Sequence, residues 1–553
     1  MKRPGYLLCL VTLLLLALLA SCGGGSDTAG GVGSGGTGAS VGVVQVAVTD
    51  APSQQFDHVW VTLSAIRFNP SASAGPDDAG WLSYPLATPV PVDLAALSNG
   101  ALETVFNQLN LPAGSYQQVL LVLAGDADPL TAPAALQGLV YNDQVDYTDA
   151  TGSHIVALNI ANPAQGISVA GNFKVVAGQT LRLTFDFDVG NDVVQYELDG
   201  ATAFTLKPKL GYFDMAHVGA VEGHIDMSSV TAAGAYDLVI KAEQPNAAGT
   251  LQQVVRATGV SADGSFVLYP VAIPQGQGTT SIDIMVRGRN MASMIIQGVP
   301  VTLGTTPQSP TQLTQTPIAV TASSEYSANL NSPLSPSGAA VELYQTLPGA
   351  GELPHEEIFR YTNPYTGTFI APLFLPTAPL QVASYQQGAD SQFTGTTPAE
   401  GAGAFQAFAE APGFATGTVK VVPPASGSAP VGVAFGPSLP QASGVNTDSI
   451  SGSIGQVAGT YNAGYLVLTM GGQIATTYDL SGTLAQNAGA GGRYTVSGLA
   501  GGSAGKALPG AIYYGSVTVW NSASPQATLV VEHVAGSADL RQGNAAGFDV
   551  TLK

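Results

Sequence analysis

The sequence predicts an all-β chain of tandem β-sandwich domains behind a flexible tether. Three observations carry this. Short runs of alternating or β-branched residues recur along the chain. The 68 Gly and 36 Pro of the 553 residues fall between those runs and punctuate them. Hydrophobic residues make up 45% of the chain, enough for several cores.

The N-terminus comes first. A basic start (Lys2, Arg3) precedes an apolar run from Tyr6 to Ala20 and then Leu19-Ala20-Ser21-Cys22. This is the layout of a secretory signal peptide over residues 1–21. The apolar run falls short of the ~18–20 residues of a spanning helix. A cysteine just after small residues resembles a bacterial lipobox, which implies lipidation of Cys22 and membrane attachment through that lipid. Gly23 stands where an Asp would signal inner-membrane retention, so the resemblance implies the cell outer membrane. Residues 22–41 are a Gly/Ser-rich tether with an average reach of ~25 Å.

The charge balance excludes one class of partner. The net charge is −20 with only 17 Lys and Arg and no basic cluster, so nucleic acid is not an expected partner. Cys9 and Cys22 are the only cysteines, which leaves the folded part without disulfides or thiolate sites.

The strands follow in order. Val44, Val46 and Val48 alternate with Gln45, Ala47 and Thr49. Val59, Val61 and Leu63 alternate with Trp60, Thr62 and Ser64. Tyr116 to Leu123 begins alternating and ends apolar on both faces, as a central strand does. Leu181, Leu183, Phe185 and Phe187 point inward, leaving Arg182, Thr184, Asp186 and Asp188 outward. Val92 to Leu109 is the one helical patch expected before residue 213, with Asp93 placed to cap a short turn and Asn99-Gly100 interrupting it.

Four blocks in this region carry a resemblance: Thr49-Asp50-Ala51-Pro52; Val92-Asp93-Leu94 with Leu97-Ser98-Asn99-Gly100; Leu111-Pro112-Ala113-Gly114-Ser115-Tyr116; and Leu206-Lys207-Pro208. Over residues 42–213 they resemble the domain of unknown function 4382 family of bacterial envelope lipoproteins. The resemblance implies a β-sandwich and an envelope location, and no activity. Asp50, Pro52, Gly114, Tyr116, Lys207 and Pro208 are its structural motif residues, and Asp50 is expected to fix a turn.

After Asp214 the chain repeats loosely. Val221-Glu222-Gly223-His224-Ile225, Tyr326-Ser327-Ala328-Asn329-Leu330 and Ile450-Ser451-Gly452-Ser453-Ile454 each open a segment of about 100 residues. Each segment later carries a Gly, a spacer and an aromatic: Gly264-Ser265-Phe266, Gly367-Thr368-Phe369 and Gly492-Arg493-Tyr494. The pattern resembles transthyretin-like, carboxypeptidase-regulatory sandwiches. The expected modules are 217–320, a divergent Pro-rich 321–440, and 448–553. The fold class is thus all-β, with immunoglobulin/transthyretin-like sandwiches in tandem on a lipid-anchored tether.

No catalytic motif emerges. The six histidines lack metal-site spacing and read as surface or joint residues. Asp186, Asp188 and Asp192 form one acidic group, and Asp143 and Asp146, with Asp149, form a second on a predicted loop. Carboxylates so spaced suit Ca²⁺, but neither group matches a calcium loop, and solvated faces are the preferred reading. Trp60 and Trp81, with Trp520 and Tyr513-Tyr514, could stack on sugars, although packing roles are the commoner use of such rings.

The functional expectation is a non-enzymatic, lipid-anchored envelope protein that binds or scaffolds a carbohydrate, a peptide or a partner envelope protein. Two alternatives stand beside it. One is a Ca-dependent glycan-active or accessory enzyme pairing Asp186 or Asp188 with Asp143 or Asp146; the other is a structural stalk. Metabolic labelling with a fatty acid is expected to mark the chain, and Cys22→Ser to abolish the label.

Overall fold

The computed structural model describes residues 40–51, 55–125, 128–198, 201–314, 316–330, 339–364, 372–410, 417–424, 431–433, 446–456, 461–471, 473–486, 492–502, 511–521 and 530–552. Strand accounts for 59% and helix for 7%, so sheets alone build the architecture.

The first sandwich grows from Val41–Ala51, whose Val44, Val46 and Val48 are fully buried on one face. This strand runs parallel to Thr180–Asp188 and antiparallel to Glu103–Pro112. Gly211–Asp214 completes a four-stranded sheet on the far side of Thr180–Asp188. The facing sheet runs Val193–Leu198, Ala201–Leu206, Gly152–Asn159, Gln144–Asp149, His58–Asn69, Gly114–Leu123 and Ile167–Val175, with Leu82–Asp93 also on His58–Asn69. Val59, Val61, Leu63, Leu121, Phe185 and Phe187 share the core between them. Tyr116 is buried, stands edge-on to Phe68 (5.9 Å between centroids), and donates its hydroxyl to the Pro112 carbonyl (2.8 Å). That is a tyrosine corner, a device of β-sandwiches. Gly114 opens the same strand, exposed, with open space where a side chain would project.

Two local expectations are corrected. Val92 to Leu109 is not helical: it holds the end of Leu82–Asp93, a single 3₁₀ turn Leu94–Ala96 and most of Glu103–Pro112. Asp93 stands at the N-cap of that short turn, where its carboxylate receives His58 Nδ1 (2.7 Å) and the Val59 N–H (3.2 Å) in place of a capping bond. The chain then turns through positive φ at Asn99 (54°) and Gly100 (79°). The predicted acidic loop is a hairpin, Gln144–Asp149 with Gly152–Asn159. Asp149 tightens its turn by accepting from the Thr151 N–H (2.7 Å).

The three repeated openings share one topology. Val218–His224, Glu325–Leu330 and Asn446–Gln456 each sit centrally in a small sheet. Each pairs antiparallel with a following strand: Ser265–Ala272, Leu373–Pro376 and Gly492–Ala500 respectively. Each also pairs parallel with a short late strand: Thr311–Gln312, Val431–Val433, and Ala545–Ala546 with Val550–Leu552. The glycine of the opening strand faces the aromatic of its partner, Gly223 opposite Phe266 and Gly452 opposite Tyr494. A side chain at Gly223 would collide with the Phe266 ring. In the middle copy, Phe369 lies outside the described residues.

The larger sheet crosses from one segment to the next. Its ten strands include Met294–Thr302, Thr279–Arg289, Tyr236–Pro245 and Gln252–Gly259, then Pro354–Tyr361, Ala340–Thr346, Phe405–Glu410 and Gly417–Val421. The join is parallel, with Gln252 opposite His355. The last sandwich has its own core around Leu466, Leu468, Val517 and Val519. Ser40–Lys553 is one compact unit, and this sandwich packs back on the first. Arg541 pairs with Asp78 (2.7 Å), Tyr514 donates to Asp77 (3.0 Å), and Asn162 donates to Thr469 (3.0 Å).

Replacing Gly223 with Val overfills its site against Phe266 and is expected to cost about 1–3 kcal/mol. A lower first unfolding midpoint in urea is the expected result, and Gly278→Ala, where nothing would be met and φ is not positive, serves as the space control.

Candidate functional site

The site begins with the face of Thr180–Asp188 that alternation assigns to solvent. Thr184 is buried and Asp186 and Asp188 are largely covered. The solvated reading is therefore corrected: Gln252–Gly259 of the next segment lies over this face and sets Arg256 into it. Arg256 is 1% exposed. It donates from Nε to the Tyr269 carbonyl (3.1 Å) and from Nη2 to Thr49 Oγ1 (3.0 Å) and the Asp50 carbonyl (2.9 Å). Its Nη1 pairs with the Asp186 carboxylate. Burial holds Asp186 up to about 6, against the pull of Arg256.

Of the motif residues, Asp50, Lys207 and Pro208 lie near this pair. Asp50 is fully buried and its Oδ1 accepts the Val189 N–H (2.9 Å), so it fixes the turn Val189–Asp192, 139 residues away. Burial raises its pKa well above the ordinary value. Asp192 accepts from the N–H groups of Asp188 (3.1 Å) and Lys209 (3.1 Å). Asp188 accepts from Asn191 Nδ2 (2.7 Å). Burial raises both carboxyls. Lys207, 1% exposed, places Nζ 4.1 Å from the centroid of the Tyr361 ring. Burial draws it down to about 7, against Asp192. Pro208 is buried beside it.

These elements wall a cleft of about 890 Å³ between the first sandwich and the ten-stranded sheet. That is the size of a small-molecule site. Aromatic rings line it (Tyr212, Phe213, Tyr344, Phe359, Phe374) among charged groups of both signs. Glu357 is buried, pairs with Arg287 (2.7 Å) and receives the Ser293 hydroxyl. Arg289 pairs with Glu325 (3.0 Å) and lies 3.8 Å from the centroid of the Phe374 ring. Glu356 is pushed up to about 7 by burial. Behind the cleft, at the sheet join, His355 Nδ1 bonds Glu243 Oε2 (2.6 Å). Burial would lower the His355 pKa, but that hydrogen bond raises it on balance. His355 is 1% exposed and sits at the join, a joint histidine rather than a surface one.

The remaining candidates lie elsewhere. Asp143 is buried and accepts the Thr62 N–H (2.8 Å), while Asp146 accepts from Gln144 Nε2 (2.7 Å). Asp146 lies in the facing sheet of the first sandwich and Asp143 immediately precedes the same strand, and neither lines the cleft with Asp186 and Asp188. Among the described residues, no group of three or more His, Cys, Asp or Glu is placed to hold a metal ion. Trp60 is half-buried beside His58 (6.1 Å), and Trp81 donates to the Gly75 carbonyl (2.8 Å) under Arg67. Trp520 packs near Tyr465 (5.5 Å), Tyr513 is buried, and Tyr514 holds Asp77, so these rings form no common platform. Cys22 and Pro52 lie outside the described residues.

A pH dependence follows from Glu356. Its folded value, about 7, lies above the ordinary 4.5, so the native state binds this proton more tightly than the unfolded chain. The stabilisation is complete below about 4.5 and is lost as pH rises through about 7. Glu356→Gln is therefore expected to raise the melting temperature at pH 8 and to flatten its decline between pH 5 and 8. Scanning calorimetry across that range reads both effects.

Comparison with known proteins adds a family for one part of the chain. No curated protein matches it. Among solved structures, the Bacillus anthracis TIE protein aligns at 9% identity over 92% of this chain and 74% of that one, with a TM-score of 0.15. The Corynebacterium diphtheriae major pilin SpaA aligns at 10% identity over 70% and 99%, with a TM-score of 0.14. Likenesses this low carry no argument. Residues 41–208 match the model of the Domain of unknown function (DUF4382) family, and the first sandwich is a domain of that family.

Proposed function

We propose that this protein is a non-enzymatic, lipid-anchored binding protein of the bacterial outer membrane, and that its ligand enters the cleft between the first sandwich and the ten-stranded sheet. The observation that carries the reading is the cleft itself: about 890 Å³, with half-buried Tyr212 and Phe374 among charged groups. Aromatic faces pack on sugar CH groups, and fixed charges orient hydroxyls and carboxylates, so the ligand class is a glycan. The walls are pre-formed, because Arg256, Arg287 and Arg289 are each held by a carboxylate. Pre-formed walls lower the ordering cost of binding. The lipobox-like stretch Leu19-Ala20-Ser21-Cys22 supports a location outside the cytoplasm.

A second reading is favoured by one observation. Glu356, held up to about 7, and Asp186, held up to about 6, both line the cleft and are poised for acid–base work on a glycosidic bond. It differs from the first in leaving products.

A glycan array probed with the chain from residue 23 onward tests the binding reading. The expected result is a defined set of glycans whose binding falls about tenfold or more in Phe374→Ala, the size of losing one well-packed aromatic contact. No binding on the array would remove the proposal. New reducing ends released from a bound glycan, and lost in Glu356→Gln, would transfer it to the enzymatic reading.

A further inference from the structure

Few cations are available to this chain, yet six of its 17 Lys and Arg line one cleft: Lys209, Lys241, Arg256, Arg287, Arg289 and Arg360. A cation withdrawn from water is costly unless acceptors take its N–H groups. Five of the six have acceptors. Lys209 lies 3.6 Å from Glu342, and Lys241 donates to the Glu357 carbonyl (2.8 Å). Arg256 pairs with Asp186, Arg287 with Glu357 and Arg289 with Glu325.

Arg360 differs. It is half-buried near the end of Pro354–Tyr361, and among the described residues its guanidinium has no hydrogen-bond or ion-pair partner. Burial lowers its pKa, and the charge that acts on it next is another cation, Arg287. Arg287 is itself tied to Glu357 and to the Phe374 carbonyl (3.1 Å), so it cannot swing away. Five N–H donors in a fixed fork, beside a second immobile guanidinium, make a receptor for a planar oxyanion. In an envelope protein of net charge −20, such a fork would also select against neutral competitors, which leave it unsatisfied.

We infer that Arg360, with Arg287 beside it, receives an oxyanion of the ligand, and that the ligand is an acidic glycan whose uronate carboxylate occupies this subsite. The inference rests on the cleft being the binding site. Phosphate offers the same chemistry and is separated from uronate by the test.

The test is isothermal titration of the chain from residue 23 onward with tetragalacturonate, maltotetraose and inorganic phosphate. Wild type, Arg360→Gln and Arg360→Lys are compared, and a melting curve for each variant reads its folding. Tetragalacturonate is expected to bind about tenfold or more tightly than maltotetraose, and Arg360→Gln to lose about ten- to a hundredfold, the range of one charge-assisted contact. Arg360→Lys restores part of the loss, which keeps the test valid should the Gln variant fold poorly. Phosphate binding that Arg360→Gln abolishes supports the oxyanion subsite with phosphate as its source. If both oligosaccharides bind alike and Arg360→Gln changes nothing, the oxyanion inference falls and the cleft reading stands. If neither anion binds while the array finds a Phe374-dependent neutral glycan, the outcome is the same. If no glycan binds at all, both fall together.

Discussion

The buried guanidinium of Arg256 is the constraint on which the rest of the structure depends. One side chain from the second segment enters the first sandwich and is accepted there by Asp186, the Thr49 hydroxyl and the Asp50 carbonyl. A charge in that position is tolerated only if its N–H groups are accepted, and here they are. Asp50 then passes the constraint on by accepting from Val189, which sets the turn carrying Asp192 against Lys207 and Lys209. Two of the motif residues of the first sandwich, Asp50 and Lys207, thus take part in docking it to the later segments.

This docking gives the cleft its walls. Two sandwiches joined by a free linker would leave an open crevice. Here the strand Thr180–Asp188 is fixed to Gln252–Gly259, and the latter continues through the His355 join into Pro354–Tyr361. Arg256, Arg287 and Arg289 along the cleft are each held by a carboxylate, and among the described residues Arg360 has no hydrogen-bond or ion-pair partner. Much of the cleft wall is strand rather than loop, and strands position side chains more firmly.

Much of this was legible in the sequence. Alternation in Val41–Ala51 and Thr180–Asp188 assigned the inward set correctly, and the repeated openings each became the central strand of a small sheet. What alternation cannot tell is whether the polar face meets water or another protein segment. Arg182 and Asp186 alternate identically, yet Arg182 is exposed and Asp186 is paired with Arg256. A usable signal was present: in a chain poor in cations, Lys241 follows Val239-Ile240 and Arg256 follows Val254-Val255, within strands whose neighbours are apolar. Charges in such settings report burial with partners. The acidic hairpin and the strands flanking the short turn Leu94–Ala96 are not legible in local pattern, because contacts that fix them, Thr62 with Asp143 and His58 with Asp93, are long-range.

The central claim is that one buried cation couples the first sandwich to the cleft-forming sheet. Amide hydrogen exchange on the whole chain, wild type against Arg256→Met, tests it most directly. The account predicts that protection falls together in Thr180–Asp188, the turn Val189–Asp192 and Gln252–Gly259, while Ala463–Met470 and Ile512–Trp520 in the last sandwich keep theirs. Unchanged exchange across those first three elements would contradict it.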